Sequence, residues 1–367
     1  MRRTRRHIVK WSALALLLVL FGWFQFAYWT STNDCNNPVR GEGMKAIKLC
    51  EHGIDGLRLT QAPKPLAAED QVLIKVHAAS LNSLDVYMTR GAWIGRLFFG
   101  LRKPRDPRLG RDVAGHVEAV GSNVTEFKPG DEVFGICNGA LAEYAVARER
   151  TLVRKPRNVS FEEAAAVPLA ALTALQGLRQ GNVQAHQKVL VNGATGGVGT
   201  FAVQIAKALG AEVTAVCSTR NVDLVRSIGA DRVIDYTKEN FTQGDQRYDA
   251  IFDNVGNHSA SDRRRVLTPK GTCVLVGVGG ASARGGELLR RIAATFIASG
   301  MSSSADQKFA QYVTKVTKDD LLLLSDLLQS GKIRPVIEQT YNLAETPQAL
   351  RRFDQGHTRG KLVISLQ

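Results

Sequence analysis

The run Ala194-Thr195-Gly196-Gly197-Val198-Gly199 sets three glycines within four positions, a spacing suited to holding a phosphate. Glycine has no side chain to block a ligand and turns where other residues cannot. Bare N–H groups can then face a pyrophosphate, and a following helix adds its dipole and unpaired N–H groups. Alanine stands where the strict dinucleotide fingerprint has its first glycine, and a glycine turn between strand and helix can also be purely structural. A second candidate lies downstream. An NADH-preferring site places Asp or Glu about 20 residues on, against the ribose hydroxyls. Here the segment reads Val216-Cys217-Ser218-Thr219-Arg220, with no carboxylate before Asp223. A hydroxyl followed by a guanidinium suits the 2′-phosphate of NADPH; the alternative for Arg220 is a solvated surface arginine.

These residues need elements to hold them. Val189-Leu190-Val191 is a β-branched run fit for a buried parallel strand. Phe201, Ile205, Ala208 and Leu209 recur at helical spacing, and Gly210 ends that helix. Glu212–Val216 then reads as a second strand. Strand, glycine turn, helix and strand together form the setting in which the motif predicts cofactor binding.

The chain has 367 residues, enough for two domains, and a formal charge of +14. The basic residues are dispersed, with Arg2, Arg3, Arg5, Arg6 and Lys10 clustered at the start. Without an aromatic-interleaved basic patch or zinc-finger spacing, nucleic acid is not an expected partner. Cys35, Cys50, Cys137, Cys217 and Cys273 form no C-x-x-C pair and are expected as free thiols, with a single disulfide left open. Residues 11–29, WSALALLLVLFGWFQFAYW, are almost wholly apolar, with Trp11 and Trp29 at the ends and Trp23 within. They predict an N-terminal membrane helix, against the alternatives of a core helix or a cleaved signal peptide. The basic start predicts a cytoplasmic N-terminus, and so an outside domain, whereas NADPH is a cytoplasmic metabolite; a helix lying in the interface satisfies both. Thr30 to Gly43 reads as a polar tether.

From Met44 onward the chain resembles the medium-chain dehydrogenase/reductase superfamily, in its zinc-free quinone-oxidoreductase branch. The likeness rests on MKAI at 44–47, QVLIKVHAASLNSLDVYMTRG at 71–91, LGRDVAGHVEAVG at 109–121 and FKPGDEVFG at 127–135. It continues through AEYAVARERTLVRKP at 142–156, AAAVPLAALTALQGL at 164–178, the glycine turn, GADRVIDY at 229–236 and GHTRGKLVISL at 356–366. The resemblance implies an α/β protein with three parts. Residues 1–43 form the anchor and linker. A chaperonin-10-like β-rich catalytic domain spans 44–168 and is completed by about 336–367. A Rossmann NADPH-binding domain with a doubly wound parallel sheet spans 169–335, and the active site lies in the cleft between the two. Turn punctuation such as Pro129-Gly130-Asp131 and the alternation of strand and helix in the middle agree with this division. A homodimer is a family expectation.

The zinc-dependent branch requires Cys, then a Gly-His-Glu histidine, then Cys or Asp. Here Asn82 stands in place of the cysteine and Arg111 in place of the histidine; amide and guanidinium do not bind Zn²⁺. Without a Lewis acid, hydride transfer from NADPH to a quinone or an α,β-unsaturated carbonyl is the easier task, because hydrogen-bond donors can stabilise the developing oxyanion. A metal-free alcohol dehydrogenase and a non-catalytic NADPH-binding membrane scaffold are the alternatives. The resemblance points to Asn82, Asp85 and Tyr87 on the substrate side. Tyr87 would donate a hydrogen bond or proton to an enolate, unless it is a packing residue. Asn82 would orient the carbonyl. Asp85 would fix the loop or the nicotinamide ribose, or serve as an acceptor at a helix start.

On the cofactor side it implies Thr173 near the diphosphate and nicotinamide, and Ser218, Arg220 and Tyr236 around the 2′-phosphate. Asn254 and Gly256 follow the strand Ala250-Ile251-Phe252 at a carboxyl end of the sheet, where ligands bind, and Gly277 closes the next strand. Lys361 would reach the phosphates or cap the closing strand. Segments 91–107 and 284–300 mix apolar and basic residues. They read as amphipathic surface or as cleft flanks that admit lipophilic acceptors.

Overall fold

The computed structural model describes residues 41–90, 103–104, 106–276 and 306–366, together with Gly22 and Cys35. Two main sheets organise them. The first is all parallel and ordered Arg232–Asp235, Glu212–Cys217, Lys188–Asn192, Tyr248–Asp253, Leu267–Leu275 and Lys308–Gln311. Side chains alternate across a strand. Val189 and Val191 therefore enter one apolar layer with Phe201, Ile205 and Phe252, whereas Leu190 enters the opposite layer with Ile251, Val216 and Tyr248. Both faces are covered, as a doubly wound sheet requires. The helix Gly197–Ala208 stops at Leu209, and Gly210 takes a φ of 82°, the left-handed backbone that glycine adopts without strain.

Strand order reverses between Lys188–Asn192 and Tyr248–Asp253. Asn192 is in register with Asp253 on one side and with Val216 on the other. The carboxyl ends of these strands open a crevice at that switch point, the usual ligand position in such sheets.

The second sheet runs Ile337–Asn342, Lys361–Ser365, Gln71–Ser80, Asp112–Val120, Glu132–Ile136 and Leu152–Arg154, with Tyr144–Arg148 also paired to Gln71–Ser80. A separate antiparallel pair joins Gly43–Leu49 to Leu57–Pro63. The closing strand Lys361–Ser365 thus lies antiparallel to Gln71–Ser80 near the start of the loop that carries Asn82. Just before it, Gly360 donates its N–H to Thr195 O at 2.7 Å and bridges to Gly196. Only glycine fits there: a Cβ would sit 2.0 Å from Val336 O. The end of the chain is thereby pinned to the glycine turn at one step and to the β-rich sheet at the next.

Two expectations need correction. Cys35 and Cys50 form a disulfide across 15 residues, so only Cys137, Cys217 and Cys273 are free thiols, all buried. The pairing depends on the chain path that returns Cys35 to the end of the first strand, which spacing does not reveal. The membrane localisation expected from residues 11–29 is also not upheld. That stretch lies, Gly22 apart, outside the described residues, and no helix among the described residues is long and apolar enough to cross a membrane. The longest of these, Pro168–Gln180, has 13 residues, about 20 Å at a helical rise, against about 30 Å of hydrocarbon.

Candidate active site

The glycine turn forms one wall of a cavity of about 830 Å³. Gly196 is the N-cap of the helix Gly197–Ala208, and no side chain caps that terminus. Its first N–H groups therefore remain available to an anion. A Cβ on Gly196 would meet nothing nearer than Gly193 O at 3.9 Å, so there is open space before the turn. Gly199 is different. A Cβ there would lie 2.0 Å from Gly193 O, so its role is to let helix and strand approach. Space and donors at the turn fit the pyrophosphate of a dinucleotide.

Of the cofactor candidates, Thr195, Gly196, Gly197, Val198, Ser218, Tyr236, Asn254 and Lys361 line the cavity. Ala194 is fully buried behind the turn. Arg220 donates to His357 O at 3.2 Å, and Gly256 donates its N–H to Asp253 Oδ1 at 2.9 Å; neither belongs to the wall. Thr173 is turned toward its own helix and a neighbouring segment, bonding Leu169 O at 2.7 Å and Thr314 Oγ1 at 3.0 Å. Gly277 and most of segments 91–107 and 284–300 lie outside the described residues.

The three substrate-side candidates separate. Asn82 borders the cavity. Asp85 is wholly buried and accepts the N–H of Asn82 at 2.8 Å and of Gly110 at 3.0 Å. Burial raises its pKa to about 6, opposed by those two bonds. Its carboxylate is committed to the loop. Tyr87 is half-buried on the helix Ser83–Arg90 and is not part of the cavity wall.

Lys361 does something the sequence reading did not foresee. It is 3% exposed, and its Nζ donates to Leu81 O at 2.8 Å, Asn82 Oδ1 at 2.7 Å and Asp112 Oδ2 at 3.2 Å. Asp112, also buried, takes Ser80 Oγ at 2.8 Å and Asn82 Nδ2 at 2.9 Å on the same oxygen. Its other oxygen accepts the N–H of Leu169, at the start of the helix Pro168–Gln180, at 2.9 Å. A carboxylate, an amide and an ammonium from separate elements thus form one buried cluster under the cavity. Ser80 and Asp112 were missed; the only signal was that Asp112 directly follows Arg111.

A second missed group supports the opposite wall. Asp253 accepts Asn192 Nδ2 at 2.9 Å, the Val255 N–H at 3.1 Å and Arg263 Nε at 2.6 Å, fixing the loop that carries Asn254. At the end of the strand Arg232–Asp235, Asp235 is held down to about 2, first by the Thr219 hydroxyl at 2.5 Å and also by Thr237. Burial pushes the Cys217 thiol up to about 11. No group of three or more His, Cys, Asp or Glu able to hold a metal ion occurs among the described residues.

Comparison with known proteins adds to this geometry. Residues 68–157 match the alcohol dehydrogenase GroES-like domain and residues 228–364 match the zinc-binding dehydrogenase family. NAD(P)H oxidoreductase RTN4IP1, mitochondrial, of Danio rerio is 33% identical over 335 residues, 81% of this chain and 84% of the relative. The chloroplastic NADPH-dependent alkenal/one oxidoreductase of Arabidopsis thaliana is 33% identical over 349 residues, 91% of this chain and 81% of that protein. The solved quinone oxidoreductase of Coxiella burnetii superposes with a TM-score of 0.76 at 31% identity, covering 89% of this chain and all of that one. The names of the first two place those proteins in the mitochondrion and the chloroplast.

Proposed function

The chain belongs to the medium-chain dehydrogenase/reductase superfamily, in its quinone-oxidoreductase-like branch, and from that premise we propose that it reduces an α,β-unsaturated carbonyl or a quinone without a bound metal ion. It is an oxidoreductase, and NADPH is its cofactor. The observation that carries the reading is a juxtaposition. The uncapped helix start at the glycine turn borders the same cavity as Asn82 and Lys361, which the buried Asp112 holds together.

Neither residue at the positions of the zinc branch is a metal ligand. Asn82 is an amide engaged with Lys361 and Asp112, and Arg111 gives its guanidinium to Asn138 Oδ1 at 2.9 Å. Electron-poor double bonds accept a hydride without a Lewis acid when fixed donors meet the oxygen that gains charge. NADPH supplies that hydride when bound. We assign Thr195, Gly196, Gly197 and Val198 to its pyrophosphate, Ser218 and Tyr236 to its adenosine end, and Asn254 to the side of the same groove.

The test is NADPH oxidation by the purified full-length chain with 1,4-naphthoquinone or methyl vinyl ketone, with NADH alongside. Turnover that needs an acceptor, prefers NADPH and survives dialysis against a chelator is the expected result. NADPH binding without turnover on either acceptor, or activity that dies on chelation and returns with zinc, overturns it.

A further inference from the structure

The donor inventory of the cluster under the cavity shifts the chemistry from Asn82 to Lys361. Asn82 has two amide hydrogens. One goes to Asp112 at 2.9 Å and the other faces Ser80 O at 3.5 Å, while its oxygen takes the lysine. That second contact is longer than any bond of Lys361, so Asn82 can orient a substrate oxygen, but an amide does not release a proton and Asn82 cannot be the acid. Lys361 has three, given to Leu81 O, Asn82 Oδ1 and Asp112 Oδ2. The third is exchangeable. Three donors converge on Asp112 Oδ2, and the bond from Lys361, at 3.2 Å, is longer than those from Ser80 at 2.8 Å and Asn82 at 2.9 Å. When it swings away, Asp112 keeps those two and the Leu169 N–H, so no buried carboxylate is stranded, which is the costly outcome for such a group. The lysine stem also runs beneath the turn: a Cβ on Gly197 would touch Lys361 Cδ at 2.8 Å. Both Asn82 and Lys361 border the cavity.

We propose that Lys361 is the acid of the reaction, resting on the reading of this site as a reductase of electron-poor double bonds. As the β-carbon of an enone takes the hydride, the π pair of the C=C bond moves toward the carbonyl and negative charge gathers on its oxygen. The Lys361 N–H turned from Asp112 meets that oxygen. The N–H bond breaks and an O–H bond forms, giving an enol that tautomerises to the saturated ketone. The neutral amine is reprotonated from water through the open cavity. For a quinone the same proton completes a hydroquinone.

Two variants test the lysine. Lys361→Met keeps most of the stem and removes the ammonium. Lys361→Arg keeps the charge and the donors but does not release a proton. Both are expected to lose about 100-fold or more in kcat on methyl vinyl ketone, with the NADPH Kd, read by fluorescence, within about threefold of wild type on the same scale. A readout independent of turnover is 4-nitrophenol bound in the presence of NADP⁺, whose visible absorption reports its ionised form. Wild type and Lys361→Arg hold it as the phenolate, and Lys361→Met does not. Wild-type kcat in the arginine variant overturns the proton transfer. A fall in kcat matched by an equal fall in NADPH affinity makes Lys361 a cofactor or structural residue and also overturns it. Wild-type turnover of the enone tests the underlying reading separately, so failure of one is not mistaken for failure of the other.

Discussion

Asp85 and Lys361 stand on either side of Asn82 and illustrate two uses of a buried charge. Asp85 serves the backbone, tying Asn82 N–H to Gly110 N–H, and burial lifts it from 3.8 to about 6. The folded state therefore favours the neutral acid. Its contribution to stability is complete below about pH 3.8 and is lost as pH rises through about 6, a change of roughly 3 kcal/mol for a shift of this size. Asp85→Asn removes that titration. Urea unfolding across pH 4 to 7 is expected to show wild type losing stability relative to the variant by roughly that amount. Parallel curves would show that the carboxylate is already ionised at acid pH and that burial is offset by its two N–H bonds. Lys361, in contrast, divides its three bonds between one backbone carbonyl and two side chains, Asn82 and Asp112.

At the scale of elements, the glycine turn combines a structural glycine with a spatial one. Gly199→Ala would drive a methyl to 2.0 Å from Gly193 O and 2.9 Å from the Ala194 backbone, and neither atom can yield without parting helix from strand. Gly197→Ala meets the Lys361 stem at 2.8 Å, a side chain that has to shift slightly while its Nζ stays bonded, not a backbone atom. The first is expected to weaken NADPH binding more than about tenfold and to cost about 1–3 kcal/mol of stability, as overpacking does. The second should alter Kd by only about threefold, roughly 0.65 kcal/mol. Fluorescence titration and urea melts of both variants decide this; equal effects would mean that the helix–strand approach is not what Gly199 secures. The turn was legible because its residues are neighbours in the chain and glycine spacing is a local property. Its partner Gly360, which bridges to Gly196, gave no local sign of that contact.

For the whole molecule, the closing strand and the disulfide set the limits of the chain path. Lys361–Ser365 ends the β-rich sheet just after Gly360 has touched the turn, so the two halves of the site are joined by one segment. At the other end, Cys35–Cys50 closes a loop of 15 residues, a constraint worth about 3 kcal/mol in the chain-entropy account. Cys50→Ser, or reduction, is expected to lower Tm by about 5 °C while leaving the NADPH Kd unchanged, because Cys50 is not part of the cavity wall. An unchanged Tm would show that the bridge ties down a segment that does not share in cooperative unfolding.

The sequence by itself determined what depends on near neighbours: the β-branched strands, the helical spacing from Phe201 to Leu209 and the turn that joins them. The tertiary structure alone decided which groups meet. Lys361 reaches Asp112 across 249 positions and Asn82 across 279, and Asp85, a candidate for chemistry, was turned inward to its own loop. The apolar character of residues 11–29 could be read from their composition, but a membrane placement could not, and the pairing of Cys35 with Cys50 was likewise beyond spacing. Local periodicity follows from helix and strand geometry over a few residues, whereas a buried hydrogen-bond cluster is selected by the topology that returns the last strand beside the third.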